Sequence, residues 1–292
     1  PDTVPVTLTV TPLETTLGAV VRGVRLAALS DAEMTAIETA FLEHAVLVFP
    51  DQHLTEDEQR AFGTRIGPIE EVTRTTTTAI TNQRRNGSLM PAHDPIMHIL
   101  KGNEDWHSDS SYMPVSAKAS MLSAHIVPKV GGTTQWADMR HAFDTLDDDT
   151  KQRVLSLSAY HSIIRSQALL GFTDAPKGVY GYDITDPPLR PLVKHHPETG
   201  RPALFIGRHA YGIPGLAEDE SERLLGDLLA HACQPPRVYE HHWTPGDLVM
   251  WDNRCVLHRA RPWDLDEPRL MKHTRISGNP ATEGTNSTNE TI

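Results

Sequence analysis

The chain has 292 residues, 38% of them hydrophobic, and a formal net charge of −11 at pH 7. That is enough apolar chain to bury a core, yet no window nears the about 18 uninterrupted apolar residues of a membrane span. The acidic balance argues against nucleic acid as a partner, because phosphate binding needs a basic patch. Pro1-Asp-Thr-Val-Pro5 lacks the basic and apolar regions of a secretory signal. Two cysteines, Cys233 and Cys255, are too few for a disulfide framework, so a reducing, cytoplasmic setting is expected.

Residues 5–28 alternate apolar and polar side chains and read as early strands around Gly18 and Gly23. Ser30 and Glu33 form a capping box, and Met34, Ile37, Ala40 and Phe41 give the next helix an apolar stripe to about Glu43. Ala45–Phe49 is a short buried strand stopped by Pro50, and Thr55 with Glu58 caps a second helix to about Arg65. Over 71–101 Thr and Asn become frequent and apolar repeats few, which predicts a long loop of the kind that covers a binding site. A strand follows over Lys118–Val127, then a helical stretch capped by Asp138 through the 140s and 150s. Leu189–Lys194 and Ala203–Ile206 read as a hairpin around His196-Pro-Glu-Thr-Gly200, and Glu218–Cys233 as an amphipathic helix. Arg237–Trp243, Leu248–Asp252 and Arg269–Ile276 are the last expected strands, and the Gly, Asn, Thr and Ser of 277–292 predict a disordered tail. With no repeat and no linker, residues 1–276 read as one domain, mainly β with flanking helices, of the sandwich or jelly-roll kind.

The chemistry centres on His107-Ser108-Asp109 and, about 150 residues later, His258. Ligands at i and i+2 of an extended strand point to one side. Two imidazoles and one carboxylate on one face of a metal suit a non-haem Fe(II) site with open positions. Among 16 His residues a His-x-Asp also arises by chance, and the ordinary alternative is a set of unrelated surface or core histidines. Other residues favour the metal site. Arg269 stands eleven residues after His258, and Thr134 stands twenty-seven after His107 in Gly131-Gly-Thr-Thr134.

Here the sequence resembles the taurine dioxygenase family of Fe(II)/2-oxoglutarate oxygenases over residues 5 to 278, and within it the aryloxyalkanoate (phenoxypropionate) dioxygenases. The matching stretches are Trp106–Pro114, Gly131–Thr134, His196-Pro-Glu-Thr-Gly-Arg201 and Trp251-Asp-Asn-Arg-Cys-Val-Leu-His258. The resemblance implies a double-stranded β-helix, the cupin-like jelly roll. It implies that His107, Asp109 and His258 hold Fe(II), with 2-oxoglutarate and O₂ as cosubstrates. It also implies hydrogen abstraction from a small anionic substrate, with succinate and CO₂ released. Arg269 would form a bidentate pair with the distal carboxylate of 2-oxoglutarate, and Thr134 would donate its hydroxyl to the same molecule. Their ordinary alternatives are a surface ion pair of Arg269 with Asp266 or Glu267 and a packed strand Thr134.

A period of two puts Arg269, Met271, His273 and Arg275 on one face. At roughly 3.3 Å per residue His273 lies about 13 Å and Arg275 about 20 Å beyond Arg269, so His273 is the better placed for the metal and its cosubstrate. Taurine dioxygenase-like members carry arginine where this chain has His273, which puts sulfonate recognition in doubt. Arg275 could replace it for the substrate if the strand bends inward. Arg208, Asn103 and Tyr112 are the other substrate-contacting candidates, against solvated loop, turn-capping and core-packing alternatives, with Arg165 a further cation. An aryloxyalkanoate is the favoured substrate, and alkyl sulfonates, alkyl sulfates or amino acids are the alternatives within the same chemistry. A zinc hydrolase or a non-enzymatic cupin-like metal binder are those outside it. A homo-oligomer, dimer or higher, with no membrane partner, is expected.

Overall fold

A computed structural model describes residues 8–72, 78–173 and 178–285. Its frame is a seven-stranded sheet. In spatial order the strands are Thr9–Pro12, Ala19–Arg22, Val46–Phe49, Leu248–Asp252, Ala117–Ile126, Leu270–Ser277 and Thr78–Thr81. A three-stranded sheet, Val238–His241, Thr134–Asp138 and Val256–Ala260, lies across the core from it. Further short strands, among them Ser158–His161 and Val193–His195, extend the barrel. Neighbours in the large sheet are mostly distant in sequence, as in a double-stranded β-helix.

The pleat divides the large sheet into two faces. Val46, Val48, Val249, Trp251, Leu122 and Met271 point into the barrel, where Trp251 meets Trp136 of the small sheet at a ring separation of 5.6 Å. The alternate residues Leu47, Phe49, Leu248, Met250, Met121 and Ile276 pack outward against the helices Asp31–His44 and Glu56–Ile66. Both helices start at the expected capping boxes, Ser30 with Glu33 and Thr55 with Glu58. The first stops where Ala45 adopts a left-handed φ of 62°.

Four expectations need correction. The stretch 71–101 is not a plain loop. Thr78–Thr81 pairs with Leu270–His273 at the sheet edge, and Pro95–Gly102 is a helix with Asp94 as its N-cap and proline in its first turn. Residues 73–77 lie outside the described set. The helical stretch after Asp138 is two helices, Met139–Asp144 and Asp148–Leu155, because Asp147 caps the second. The hairpin forms only between Val193–His195 and Pro202–Leu204, while Leu189–Pro191 pairs with Ser158–His161 in another sheet.

The tail is the fourth. Ser277 still belongs to a strand, and Pro280–Glu283 is a helical turn capped by Asn279. It docks because buried Lys194 pairs with the carboxylate of Glu283, itself 2% exposed, and Arg190 donates to the Glu283 carbonyl at 3.0 Å. A polar composition does not reveal a turn held by distant buried cations. Residues 286–292 of the expected tail lie outside the described set.

Candidate active site

His107 and His258 face each other across an antiparallel bridge. His107 N–H donates to the His258 carbonyl at 3.0 Å, and His258 N–H returns the bond at 2.9 Å. A pair that exchanges both bonds projects its side chains to one face, and the period of two brings Asp109 to that face. Ser110 then turns the chain with a left-handed φ of 60°, a strained conformation for a residue with a Cβ. The two imidazole centroids are 4.1 Å apart. Asp109 Oδ1 lies 3.9 Å from His107 Nε2 and 3.7 Å from His258 Nε2. One donor atom from each of the three buried residues falls within 4.8 Å of the others.

The donor set fits a divalent cation. Burial pushes the His107 imidazole pKa down, and burial with the neighbouring His107 pushes that of His258 well down, so both rings are neutral. His107 Nδ1–H donates to the Asp105 carbonyl at 2.8 Å, which leaves Nε2 with a free lone pair on the Asp109 side. Burial opposes the charge on Asp109, but the Arg275 guanidinium and a hydrogen bond from His273 hold its carboxyl well below the usual range. Two neutral imidazoles and an ionised carboxylate are ligands in the protonation states that metal binding requires. A second cluster, His196, Asp252 and Cys255, does not fit a metal. His196 Nε2 is 2.9 Å from Asp252, its Nδ1 accepts from Glu198 and Thr199 N–H, Arg254 pairs with Asp252, and burial pushes the Cys255 thiol up.

Four side chains reach Asp109 from the large sheet and its flank. Ser120 Oγ donates to Oδ2 at 2.6 Å, and Arg275 donates to Oδ1 at 3.2 Å. His273 Nε2 stands 3.5 Å from Oδ2, and Asn253 Oδ1 accepts from Asp109 N–H at 3.3 Å. The expected ranking of His273 over Arg275 is thus corrected. Both reach Asp109, because it lies between them and the long guanidinium spans the extra distance. Of the two, only Arg275 also lines the cavity.

Arg269 is 2% exposed and has no carboxylate within ion-pair distance among the described residues. Its Nε and Nη2 donate to the Gly132 carbonyl at 3.3 and 3.2 Å, and its guanidinium lies 5.2 Å from the Trp263 ring. Burial alone pulls its pKa down to about 10. The surface ion pair with Asp266 or Glu267 is therefore not what the residue makes. Gly132 allows the approach: at its φ of 67° a Cβ would stand 3.2 Å from Arg269 Nε. Thr134, two residues on, is buried, and its Oγ1 accepts from the Trp243 indole at 3.0 Å, which leaves its own proton to donate.

Beside the triad lies a cavity of about 50 Å³, open on one side, whose lining includes Asn103, Tyr112, Arg208 and Arg275. Arg208 donates to Gln167 Oε1 at 2.7 Å and has no carboxylate within ion-pair distance among the described residues. Gly102 makes room for that pair, since a Cβ would meet both Arg208 and Gln167 at 2.3 Å. Burial raises the Tyr112 phenol to about 12, so it is neutral. Arg165 faces away: it pairs with Glu222 at 3.1 Å and covers the Tyr211 ring. The sequence reading missed the wall residues Ile99, Ile163, Gln167 and Tyr182, which come from helices and turns without a motif. It also missed Ser120. Asn253 was visible inside the matching stretch, and only its contacts reveal its use.

Comparison with known proteins agrees with this geometry. Residues 9–275 match the family model for taurine catabolism dioxygenase TauD, TfdA family. The (S)-phenoxypropionate/alpha-ketoglutarate-dioxygenase of Sphingobium herbicidovorans is 56% identical over 280 residues, covering 94% of this chain and 96% of that protein. Its namesake from Delftia acidovorans is 51% identical, covering 95% and 98%. The solved structure of AAD-2, in complex with Mn(II) and N-oxalylglycine, superposes with a TM-score of 0.87 at 37% identity, covering 96% of this chain and 98% of AAD-2. This chain belongs to the taurine catabolism dioxygenase TauD, TfdA family and is a dioxygenase that uses Fe(II), 2-oxoglutarate and O₂.

Proposed function

We propose that the substrate is an aryloxyalkanoate and that the cavity beside Asp109 receives it. The observation that carries this reading is Arg208: a largely buried guanidinium in the cavity whose side-chain partner is a neutral amide. Among the described residues Asp105 is the only carboxylate that offsets that charge, from beyond ion-pair distance, and a substrate carboxylate would pair with it directly. Arg275 lines the same cavity and gives a second cation, while Ile99, Ile163, Tyr112 and Tyr182 offer apolar and aromatic walls for an aryl group. The printed names of the most similar relatives, phenoxypropionate dioxygenases, support the same class.

In this reading His107, Asp109 and His258 would hold Fe(II), which would supply the oxidising chemistry that consumes O₂ and 2-oxoglutarate and releases succinate and CO₂. Arg269 holds the distal carboxylate of 2-oxoglutarate by its guanidinium fork, and Thr134 gives that molecule a hydroxyl donor. Arg208 and Arg275 orient the substrate carboxylate, so that the carbon between carboxylate and ether oxygen faces the triad. Hydroxylation of that carbon lets it expel the aryl oxygen, giving a phenol and an oxo acid. The two free cysteines suit a reducing compartment. Among the described residues no helix is long and apolar enough to cross a membrane.

The test is anaerobic. Fe(II) and 2-oxoglutarate are added to apo protein, and the visible absorption of the chelate is followed as aryloxyalkanoates, alkyl sulfonates and amino acids are added. A spectral change with aryloxyalkanoates, followed by stoichiometric phenol and succinate once air is admitted, supports the reading. A change only with sulfonates or amino acids refutes it.

A further inference from the structure

The metal ligands are well described by their own positions, but Asp109 is the one whose orientation the backbone does not settle. A carboxylate can offer a metal one oxygen or two, and here a competing cation, Arg275, stands 3.2 Å from Oδ1. We infer that Ser120 and Asn253 are positioning residues that hold Asp109 as a one-oxygen ligand, through a chain of hydrogen bonds whose direction is set by the indole of Trp251.

The direction follows from which groups can only donate. Trp251 Nε1–H has no acceptor capacity, and it donates to Asn253 Oδ1 at 3.0 Å. The backbone N–H of Asp109 donates to the same oxygen at 3.3 Å. The amide is thereby oriented, oxygen toward both donors and nitrogen away from them. Asn253 Nδ2 then donates to Ser120 Oγ at 2.9 Å. With its oxygen accepting that bond, the Ser120 hydroxyl proton is turned to Asp109 Oδ2, 2.6 Å away. Oδ2 is thus engaged, and Oδ1 faces His107 and His258.

The chain is rigid because Ser120 and Trp251 sit in the sheet and Asn253 follows directly on the strand of Trp251. Ser120 is the cross-strand partner of both Trp251 and Arg275. Asn253 is pinned through its own backbone: its N–H donates to the Lys118 carbonyl at 3.0 Å, and its carbonyl accepts from Ser108 Oγ at 2.9 Å. Ser120, Asn253 and Trp251 are each at most 1% exposed, so water does not substitute for a lost partner. Without the Ser120 hydroxyl, Oδ2 keeps only the longer contact to His273 at 3.5 Å, so the carboxylate turns more readily toward the guanidinium fork of Arg275 and the metal loses a ligand firmly held in place.

This inference rests on the metal-centre reading, and the experiment separates the two. Mn(II) is titrated into apo protein, and free Mn(II) is read by electron paramagnetic resonance, with no turnover involved. Ser120→Ala removes the proton donor. Asn253→Asp keeps the shape but replaces the donor Nδ2 with an acceptor, so that Ser120 turns away from Asp109. Each is expected to weaken Mn(II) binding about 10–100-fold, the range seen when such outer partners are removed. The double variant is expected to bind no more weakly than the weaker single, because both break one chain. Urea midpoints near wild type show that the loss is not unfolding, and if Asn253→Asp fails to fold, Ser120→Ala alone decides. Unchanged or tighter binding in Ser120→Ala, or fully additive losses in the double variant, overturns the inference. Asp109→Ala is the reference: if it binds Mn(II) like wild type, the metal-centre reading itself has failed.

Discussion

Replacing Arg269 with methionine should move stability and cosubstrate binding in opposite directions. In the protein without ligand, Arg269 is a buried guanidinium with two bonds to one carbonyl and no carboxylate partner among the described residues. Burial lowers its pKa from the usual 12.5 to about 10. Two and a half units at about 1.4 kcal/mol each put the cost of keeping it charged on the order of 3 kcal/mol. Methionine fills a similar volume without that cost. The apo variant should therefore unfold at an equal or higher urea concentration than wild type. With 2-oxoglutarate the sign reverses. Removing one partner of a buried charge pair costs about 2–5 kcal/mol, so affinity should fall by about 30-fold or more. Anaerobic titration of 2-oxoglutarate into Fe(II)-loaded protein, followed by chelate absorption, gives the second number, and urea unfolding gives the first. A destabilised apo variant that binds 2-oxoglutarate normally would refute the reasoning on both counts.

Three further outcomes follow from other buried charges. Arg208→Met should raise the KM for an aryloxyalkanoate by about 30-fold, from roughly 2 kcal/mol of lost ion pairing, and leave the KM for 2-oxoglutarate within about twofold; equal effects on both would remove Arg208 from the substrate site. Glu283→Gln leaves the buried ammonium of Lys194 without its carboxylate and should cost about 3 kcal/mol in urea unfolding, whereas a change below about 0.5 kcal/mol would mean that the C-terminal turn is not anchored by that pair. His161 is fully enclosed, and burial with Arg190 and Lys194 nearby lowers its pKa from 6.5 to about 3. Because the folded value is depressed, its contribution is intact above pH about 6.5 and is lost as pH falls toward about 3, where the unfolded chain binds a proton that the folded one refuses. His161→Phe should therefore flatten the acid limb of stability against pH by about 1.4 kcal/mol per unit between pH about 6 and 4, and an unchanged limb would show that His161 does not titrate on unfolding.

Local chemistry carries its own signal, and those parts were readable in the chain. The capping boxes at Ser30 and Thr55 start their helices as expected, since each motif closes within four residues. His107 and Asp109 share a side because a strand repeats every two residues. The same period puts Met271 into the barrel with His273 and Arg275 at Asp109, while Thr274 turns to Gln59 on the helix side. The edge strand Thr78–Thr81 and the docked turn Pro280–Glu283 were not readable. Four residues carry too little pattern to stand out, and each is held by a partner far along the chain.

By itself, then, the sequence brought out the candidate trio His107, Asp109 and His258, the arginine spaced behind it and, through its matching stretches, the resemblance to the family that implied the barrel. Tertiary structure alone decided what surrounds those residues. It decided that Arg269 is buried with no counter-charge among the described residues, that Arg208 faces a cavity while Arg165 does not, and that Ser120, Asn253 and Arg275 converge on one carboxylate. The physical reason is that burial and hydrogen-bond direction are properties of neighbours brought together across the sheet, and no spacing along the chain encodes which serine will face which aspartate.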